Sequence, residues 1–208
     1  MAIGFVKSRY ISRSTGGNAC RSSAYNARGK ISDQRTGQTF DFSKRPGNIH
    51  HEILLPDHVD NGFKDISVLS NKVEECEHRK DSQVYVEWVL ALAKEKEVTL
   101  EMHQELIKKF IEYKGWIKEG LGIQIDIHTP DEGDENLHAH LLVTTRRFRK
   151  SGLGFEELKA RDLQPKVVNQ KVIEETKDSI AWTNMQNDYY KECGLDLRVD
   201  LPSELAQE

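Results

Sequence analysis

The segment that most restricts what this chain can become is residues 122–146, GIQIDIHTPDEGDENLHAHLLVTTR. At period two, Ile123, Ile125 and Ile127 share one side, while Gly122, Gln124, Asp126 and His128 share the other, as in a half-buried strand. Past an acidic loop His138 and His140 alternate again, with Ala139, Leu141 and Val143 on the apolar side. Paired as an antiparallel hairpin, the two runs bring three imidazoles to one end of one sheet face and leave an apolar face that must be covered.

Neutral imidazoles with positions left open for water or substrate suit a catalytic divalent metal, and Mn, Mg, Zn, Ni and Co all remain eligible. A lone histidine beside a turn is ordinarily surface. His-x-His on a strand, with a third histidine closing the strand before it, points instead to a metal site whose candidate ligands are His128, His138 and His140. His50 and His51 are adjacent, so they point to opposite faces of a strand and cannot share one ion; they read as surface residues.

Upstream, IGFVKSRYI reads as a first strand and residues 12–17 as a turn. Ser14 or Thr15 is placed to cap a helix through NACRSSAYNARGK that Gly29 ends. Ala19, Ser23, Ala24 and Ala27 make this helix small-sided, so its backbone can lie close to a sheet. Tyr25 sits in it with Arg21 at i−4 and Arg28 at i+3. A hairpin turning at residues 35–38 follows, then a strand at 49–56 stopped by Pro56, then a helix within 63–80 on the stripe Phe63, Ile66, Leu69 and Val73. Residues 83–93 are β-branched and aromatic and read as a central strand in which Glu87 is the one ionised group. A carboxylate in such a strand is costly without a partner, so Glu87 is either at a site or facing solvent, and the site reading is the preferred one. Residues 99–116 form an amphipathic helix burying Met102, Leu106, Phe110 and Trp116; 149–166 read as a Gly- and Lys-rich loop; 180–193 form a last helix on Trp182, Met185 and Tyr189. Tyr189 belongs to that core stripe, so the Tyr189–Tyr190 pair has no catalytic part.

A length of 208 residues suits one domain, residues 1–208, able to close a core. The longest apolar runs, VLALA and HLLV, fall far short of the roughly 20 residues of a membrane span, and MAIGFVKSRY lacks the apolar core of a signal peptide. The expectation is no membrane insertion and a cytoplasmic location. Cys20, Cys76 and Cys193 are isolated and odd in number, which argues against a disulfide framework or a thiolate metal site. The net charge is −4, yet residues 1–50 hold nine Lys or Arg against two acids, and residues 144–171 hold eight against three. Two basic segments flanking the histidines suit a polyanion held against one face. GxGxxG, GKS/T and GxSxG motifs are absent, against nucleotide-binding, P-loop and serine-hydrolase readings. The alternation of strands and helices with antiparallel hairpins gives an α+β fold: a single antiparallel sheet with helices packed on one face and the metal site on the other.

The run from His128 through His138-Ala-His140 to Arg146, together with SAYNARGKISDQRTGQTFDF around Tyr25, resembles the MobA/MobL (MobQ) family of conjugative relaxases. The relaxase domains of the staphylococcal plasmid nicking enzyme and of TraA-type relaxase-helicases are similar in pattern. The resemblance covers almost the whole chain, and the tyrosine and three histidines occur in the family's order. Leu137 stands where many members have proline before His-x-His, a change that touches the stiffness of the loop and not the ligands.

The resemblance implies an HUH endonuclease that nicks and religates one DNA strand at a plasmid transfer origin during conjugative mobilisation, acting on single-stranded and duplex DNA. It further implies a bacterial cytoplasmic protein that works with a coupling protein and secretion machinery, with a helicase or other domain following in some members. On this reading Tyr25 attacks the scissile phosphorus, leaving a 5′-phosphotyrosyl strand and a free 3′-hydroxyl, while a divalent metal on His128, His138 and His140 polarises the non-bridging oxygens. A phenol is almost wholly protonated near neutrality, so it needs activation. Glu87 is the candidate either to orient a ligand histidine or to accept the tyrosine proton. Arg21, Arg28, Lys30, Arg146 and Arg147 are the candidate DNA contacts. An HUH replication initiator or transposase, and a non-catalytic DNA-binding module on the same sheet, are the alternatives; strand transfer between ends, or failure to form a covalent adduct, distinguishes them.

Overall fold

The computed structural model describes residues 2–130, 137–168, 171–172 and 175–202. The acidic loop expected after His128, residues 131–136, lies outside the described residues. The N-terminal part contributes β1 (Ala2–Ile3), β2 (Val6–Ser12), α1 (Ala19–Ala27), the hairpin β3 (Lys30–Ser32) and β4 (Thr39–Asp41), and β5 (Asn48–Leu54). Then come α2 (Ile66–Cys76), β6 (Gln83–Ala91), α3 (Leu100–Lys114), β7 (Ile123–His128) and β8 (His138–Thr144). The last part holds a second hairpin, β9 (Arg146–Phe148) and β10 (Phe155–Lys159), then β11 (Val167–Val168), β12 (Lys171–Val172), α4 (Glu175–Glu192) and β13 (Val199–Asp200), which pairs with β1.

Five strands form the main sheet in the order β2-β6-β8-β7-β5, with every neighbouring pair antiparallel. The expected histidine hairpin, β7 with β8, sits inside it. Side chains alternate across this sheet as period two demands. Val86, Trp88, Leu90, Ile123, Ile125, Ile127, Ala139 and Leu141 join the core beneath α3 and α4, where Trp88, Phe110, Trp116 and Trp182 pack ring against ring. Trp182 meets its polar requirement by donating its indole N–H to the Ala91 carbonyl at 2.7 Å.

The α+β class and the antiparallel sheet are as the sequence implies, but the helices are not confined to one face. Strand β6 is apolar on both sides: Tyr85 and Val84, with Leu142 and Ile11, pack against Leu69 and Val73 of α2 and Ala19 of α1. The face that carries the histidines is therefore polar at one end and apolar at the other, and α1 and α2 cover it because the apolar end cannot be left wet. The small side of α1 allows the close approach: the Ser23 carbonyl accepts from Gln124 of β7 at 3.1 Å, and Ala19, Cys20 and Ala24 are fully buried.

The start of α1 differs from expectation. Residues 13–15 form a 3₁₀ turn, and Asn18, not Ser14 or Thr15, caps the helix by accepting from the Arg21 N–H at 2.8 Å while donating to Asp33 at 2.7 Å. Gly17 enforces the offset, since a β-carbon there would lie 2.6 Å from the Ser12 carbonyl oxygen. Part of the segment read as a loop at 149–166 belongs to the β9–β10 hairpin, held by Phe148 stacked on Phe155 with ring centroids 4.4 Å apart. Among the described residues no helix is long and apolar enough to cross a membrane.

Candidate active site

Strand register assembles the site. His128 of β7 lies opposite His138 of β8, Asp126 opposite His140, and Glu87 of β6 sits one strand further across, opposite Arg9 of β2. The three imidazole rings stand 4.8, 4.8 and 5.8 Å apart by centroid, and one nitrogen from each lies within 4.8 Å of the others. His128 and His140 are each held at a second nitrogen. His128 Nε2 donates to the Asn26 carbonyl at 2.6 Å, and His140 Nδ1 donates to Glu87 Oε1 at 3.0 Å. That leaves His128 Nδ1 and His140 Nε2 as lone-pair donors, an arrangement by which outer partners commonly fix the tautomer of metal-binding histidines. Burial lowers the His128 pKa to about 4, against the opposing pull of the Asn26 carbonyl, so the ring is neutral near pH 7 and its lone pair is available. The donor set fits a divalent cation.

Glu87 is 3% exposed. Burial by itself raises its pKa, but the hydrogen bond and charge of His140, with Arg9 added, outweigh it and bring the carboxyl down to about 2. Arg9 Nε donates to Oε2 at 2.6 Å and the Asn26 amide to Oε1 at 3.2 Å. A carboxylate so thoroughly engaged and so acidic is a poor acceptor for a phenol proton near neutrality. Of its two expected roles, orientation of a ligand histidine is the one this geometry fits.

Tyr25 comes to the same place on α1. The residue after it, Asn26, touches His128 through its carbonyl and Glu87 through its amide, and that carbonyl also accepts from Asn48 Nδ2 at 3.0 Å. Tyr25 lines a cleft of about 390 Å³ together with Arg9, Asn18, Arg21, Asn26 and Glu87. Its ring meets the Phe42 ring at 5.3 Å, and the Arg28 and Arg45 guanidinium groups stand 4.6 and 5.1 Å from its centroid. Tyr189 and Tyr190 lie in the core under the opposite face.

The expected DNA contacts divide. Arg21 is exposed on the cleft wall, Arg28 is at the site, and Lys30 is exposed nearby, 3.5 Å from Asp41. Arg146 and Arg147 are elsewhere, six and seven residues past His140 and so roughly 20 Å along the sheet. Arg146 pairs with buried Glu77 at 2.7 Å, and Arg147 binds Asp162 and the Glu119 carbonyl. Both guanidinium groups thus lie away from the histidines and are paired within the protein, Arg146 with Glu77 and Arg147 with Asp162.

Sequence reasoning missed Asn26, Arg45, Asn48 and the role of Asp126. Asp126 is fully buried and accepts from His51 Nδ1 at 2.7 Å, Asn48 at 2.9 Å and Gln124 at 2.7 Å. The alternation of β7 carried a signal for Asp126, placing it beside His128, but gave no hint that α1 would cover it. His50 and His51 do face opposite ways as expected. Neither is plain surface, for His51 serves Asp126 and His50 takes a hydrogen bond from Gln104 of α3 at 3.0 Å.

Comparison with known proteins gives a consistent picture. A family model described as the MobA/MobL family matches residues 18–208. The conjugal transfer protein TraA of Agrobacterium fabrum is 26% identical over 96% of this chain and 20% of its own length. The mobilization protein MobL of Acidithiobacillus ferridurans is 28% identical over 96% of this chain and 57% of its own. The chain thus spans about a fifth of the TraA relative. Among solved structures, one described as the molecular basis of vancomycin resistance transfer in Staphylococcus aureus is 31% identical with a TM-score of 0.77, covering 97% of this chain and 100% of that one. TrwC complexed with a 27-mer DNA is 10% identical with a TM-score of 0.54 over 94% of this chain and 74% of that one, a likeness of fold.

Proposed function

Because the chain belongs to the MobA/MobL family, we propose that it is a relaxase domain that nicks and religates one strand of DNA at a transfer origin, through a tyrosyl ester, in conjugative mobilisation. The observation that carries this reading is the junction at Asn26, where the helix bearing the phenol is hydrogen-bonded to both His128 and Glu87.

In the reaction the Tyr25 oxygen bonds to phosphorus as the bond to the 3′-oxygen breaks. The phenol gives up a proton to solvent and the departing 3′-oxygen gains one, so the products are a 5′-phosphotyrosyl strand and a 3′-hydroxyl. A diester is exchanged for a diester, which leaves the step near balance and open to religation. His128, His138 and His140 would hold a divalent cation of the Mn, Mg, Zn, Ni or Co group, which supplies Lewis-acid polarisation of the phosphate when bound. Glu87 keeps His140 turned with Nε2 inward, and Arg9 keeps Glu87 ionised. Arg21, Arg28 and Lys30 are the cations we assign to the DNA. We place the protein in the bacterial cytoplasm, delivering its nicked strand to a coupling protein and secretion machinery.

The test uses labelled single-stranded oligonucleotides tiling the DNA that flanks the gene, incubated with Mn²⁺ or Mg²⁺ and read as an SDS-stable adduct. Wild type forms the adduct and Tyr25→Phe forms none. An equal yield from Tyr25→Phe would assign the nucleophile elsewhere.

A further inference from the structure

Helix α1 ends on Arg28, whose φ of +52° and ψ of +38° put it in the left-handed region, the one non-glycine among the described residues with a positive φ. Glycine follows at position 29 and is the ordinary occupant of such a turn, so a long cationic side chain at position 28 marks a conformation kept for what the side chain reaches. It reaches three things. Nε donates to the Pro46 carbonyl at 3.2 Å and Nη1 to the Tyr25 carbonyl at 3.0 Å. The guanidinium stands 4.6 Å from the Tyr25 ring centroid. Nη2 donates a long hydrogen bond, 3.5 Å, to His128 Nδ1, the nitrogen that carries the lone pair when Nε2–H is given to Asn26.

A permanently charged guanidinium against the open nitrogen of a cation ligand is repelled by the cation that nitrogen would bind. Once a cation takes that lone pair, the placement is favourable when an anion lies between the two charges. The phosphate attacked by Tyr25 is such an anion, and it gains negative charge as the new bond forms.

Building on the nicking activity proposed above, we infer that Arg28 is a catalytic residue: it clamps the nucleophile and supplies the second positive charge on the non-bridging oxygens of the scissile phosphate. Arg28 makes and breaks no bond. The Tyr25–phosphorus bond forms, the bond to the 3′-oxygen breaks, and the guanidinium offsets charge on the oxygens that stay. The neighbouring cations fit this role less well. Arg45 is exposed and touches the ring alone, Arg21 is exposed on the cleft wall, and Lys30 is paired with Asp41.

The variant Arg28→Gly removes the guanidinium and retains the backbone turn, since glycine adopts positive φ freely. In single-turnover assays with a cleavable oligonucleotide and Mn²⁺, we expect the adduct rate to fall by about 100-fold, the scale of losing one oxyanion donor. The oligonucleotide dissociation constant stays within about threefold, because one phosphate contact among several is lost. Calorimetric titration of the DNA-free protein shows Mn²⁺ bound at least as tightly as in wild type, a readout independent of turnover. Arg28→Lys recovers part of the rate, keeping the charge without the fork.

An adduct rate near wild type in Arg28→Gly overturns the assignment while leaving the nicking reading in place. Loss of Mn²⁺ binding in that variant also overturns it, by showing that Arg28 merely supports the histidines. A wild-type protein that forms no adduct on any oligonucleotide sinks the nicking reading, and this assignment with it.

Discussion

Glu87 and His140 show how much a single side chain's surroundings decide. In sequence Glu87 is one acid in an apolar strand, and orientation and proton transfer were equally open to it. Three hydrogen-bond donors and a pKa near 2 favour orientation. Glu87→Gln keeps the volume but removes the charge that holds His140 in one tautomer. We expect the affinity for Mn²⁺ or Zn²⁺ to drop by about 10–100-fold, measured by titration calorimetry. An unchanged affinity would return Glu87 to the list of candidate bases. The histidines themselves were legible because period-two spacing is a local property: 138 and 140 share a face in any pairing, and 128 joins them in the register that sets it opposite 138. Asn26 and Arg45 were not legible, because their roles depend on which helix and loop come to rest over that face.

Among the elements, α1 has its position decided by a residue more than fifty positions away. Glu74 of α2, 1% exposed, accepts from the Ala19 N–H at 2.6 Å, at the first turn of α1, and pairs with Arg13 and with Arg35 at 2.9 Å. An acidic group at a helix start is favourable in itself. Here it also neutralises Arg13, whose side chain is 8% exposed. Glu74→Ala strands that guanidinium and the helix N–H together. The expected loss is about 3–5 kcal/mol, read from urea unfolding, with a parallel fall in adduct yield as Tyr25 loses its mooring. Arg35→Ala removes a half-exposed partner and is expected to cost about 1 kcal/mol or less. Equal losses from the two variants would show that the pair is not a true buried contact. The sequence announced this helix and its small side, but placed its cap at Ser14 or Thr15 because capping preference sees residue type and not the crowding at Gly17. The β9–β10 hairpin went unread for a related reason: its stability rests on Phe148 against Phe155 and Phe63 and on Arg146 against Glu77, contacts with no period along the chain.

For the whole molecule, two buried histidines set the response to acid. Burial lowers both His128, at the site, and His103, on α3, to about 4 from the usual value near 6.5. Their folded pKa values lie below the unfolded ones, so the unfolded chain binds protons first as pH falls. The stability they contribute is complete above about pH 6.5 and is lost between there and about pH 4. Melting of the metal-free protein should therefore fall across that window by about 1.4 kcal/mol per pH unit for each histidine, and His103→Leu should roughly halve the slope while leaving the site intact. A flat profile from pH 6.5 to 4 would contradict the burial of both rings. The sequence by itself determined the antiparallel hairpin, the three imidazoles on one face, the apolar stripes of α2, α3 and α4, and the family likeness, since each follows from periodicity or from residues in fixed order. Only the tertiary structure decided that helices cover both faces, that Arg146 pairs with Glu77 and Arg147 with Asp162, and that Asn26 and Arg28 join the helix of the phenol to the histidines. Those outcomes depend on burying an apolar sheet end and satisfying the polar groups trapped beside it, and both requirements are met between residues far apart in the chain.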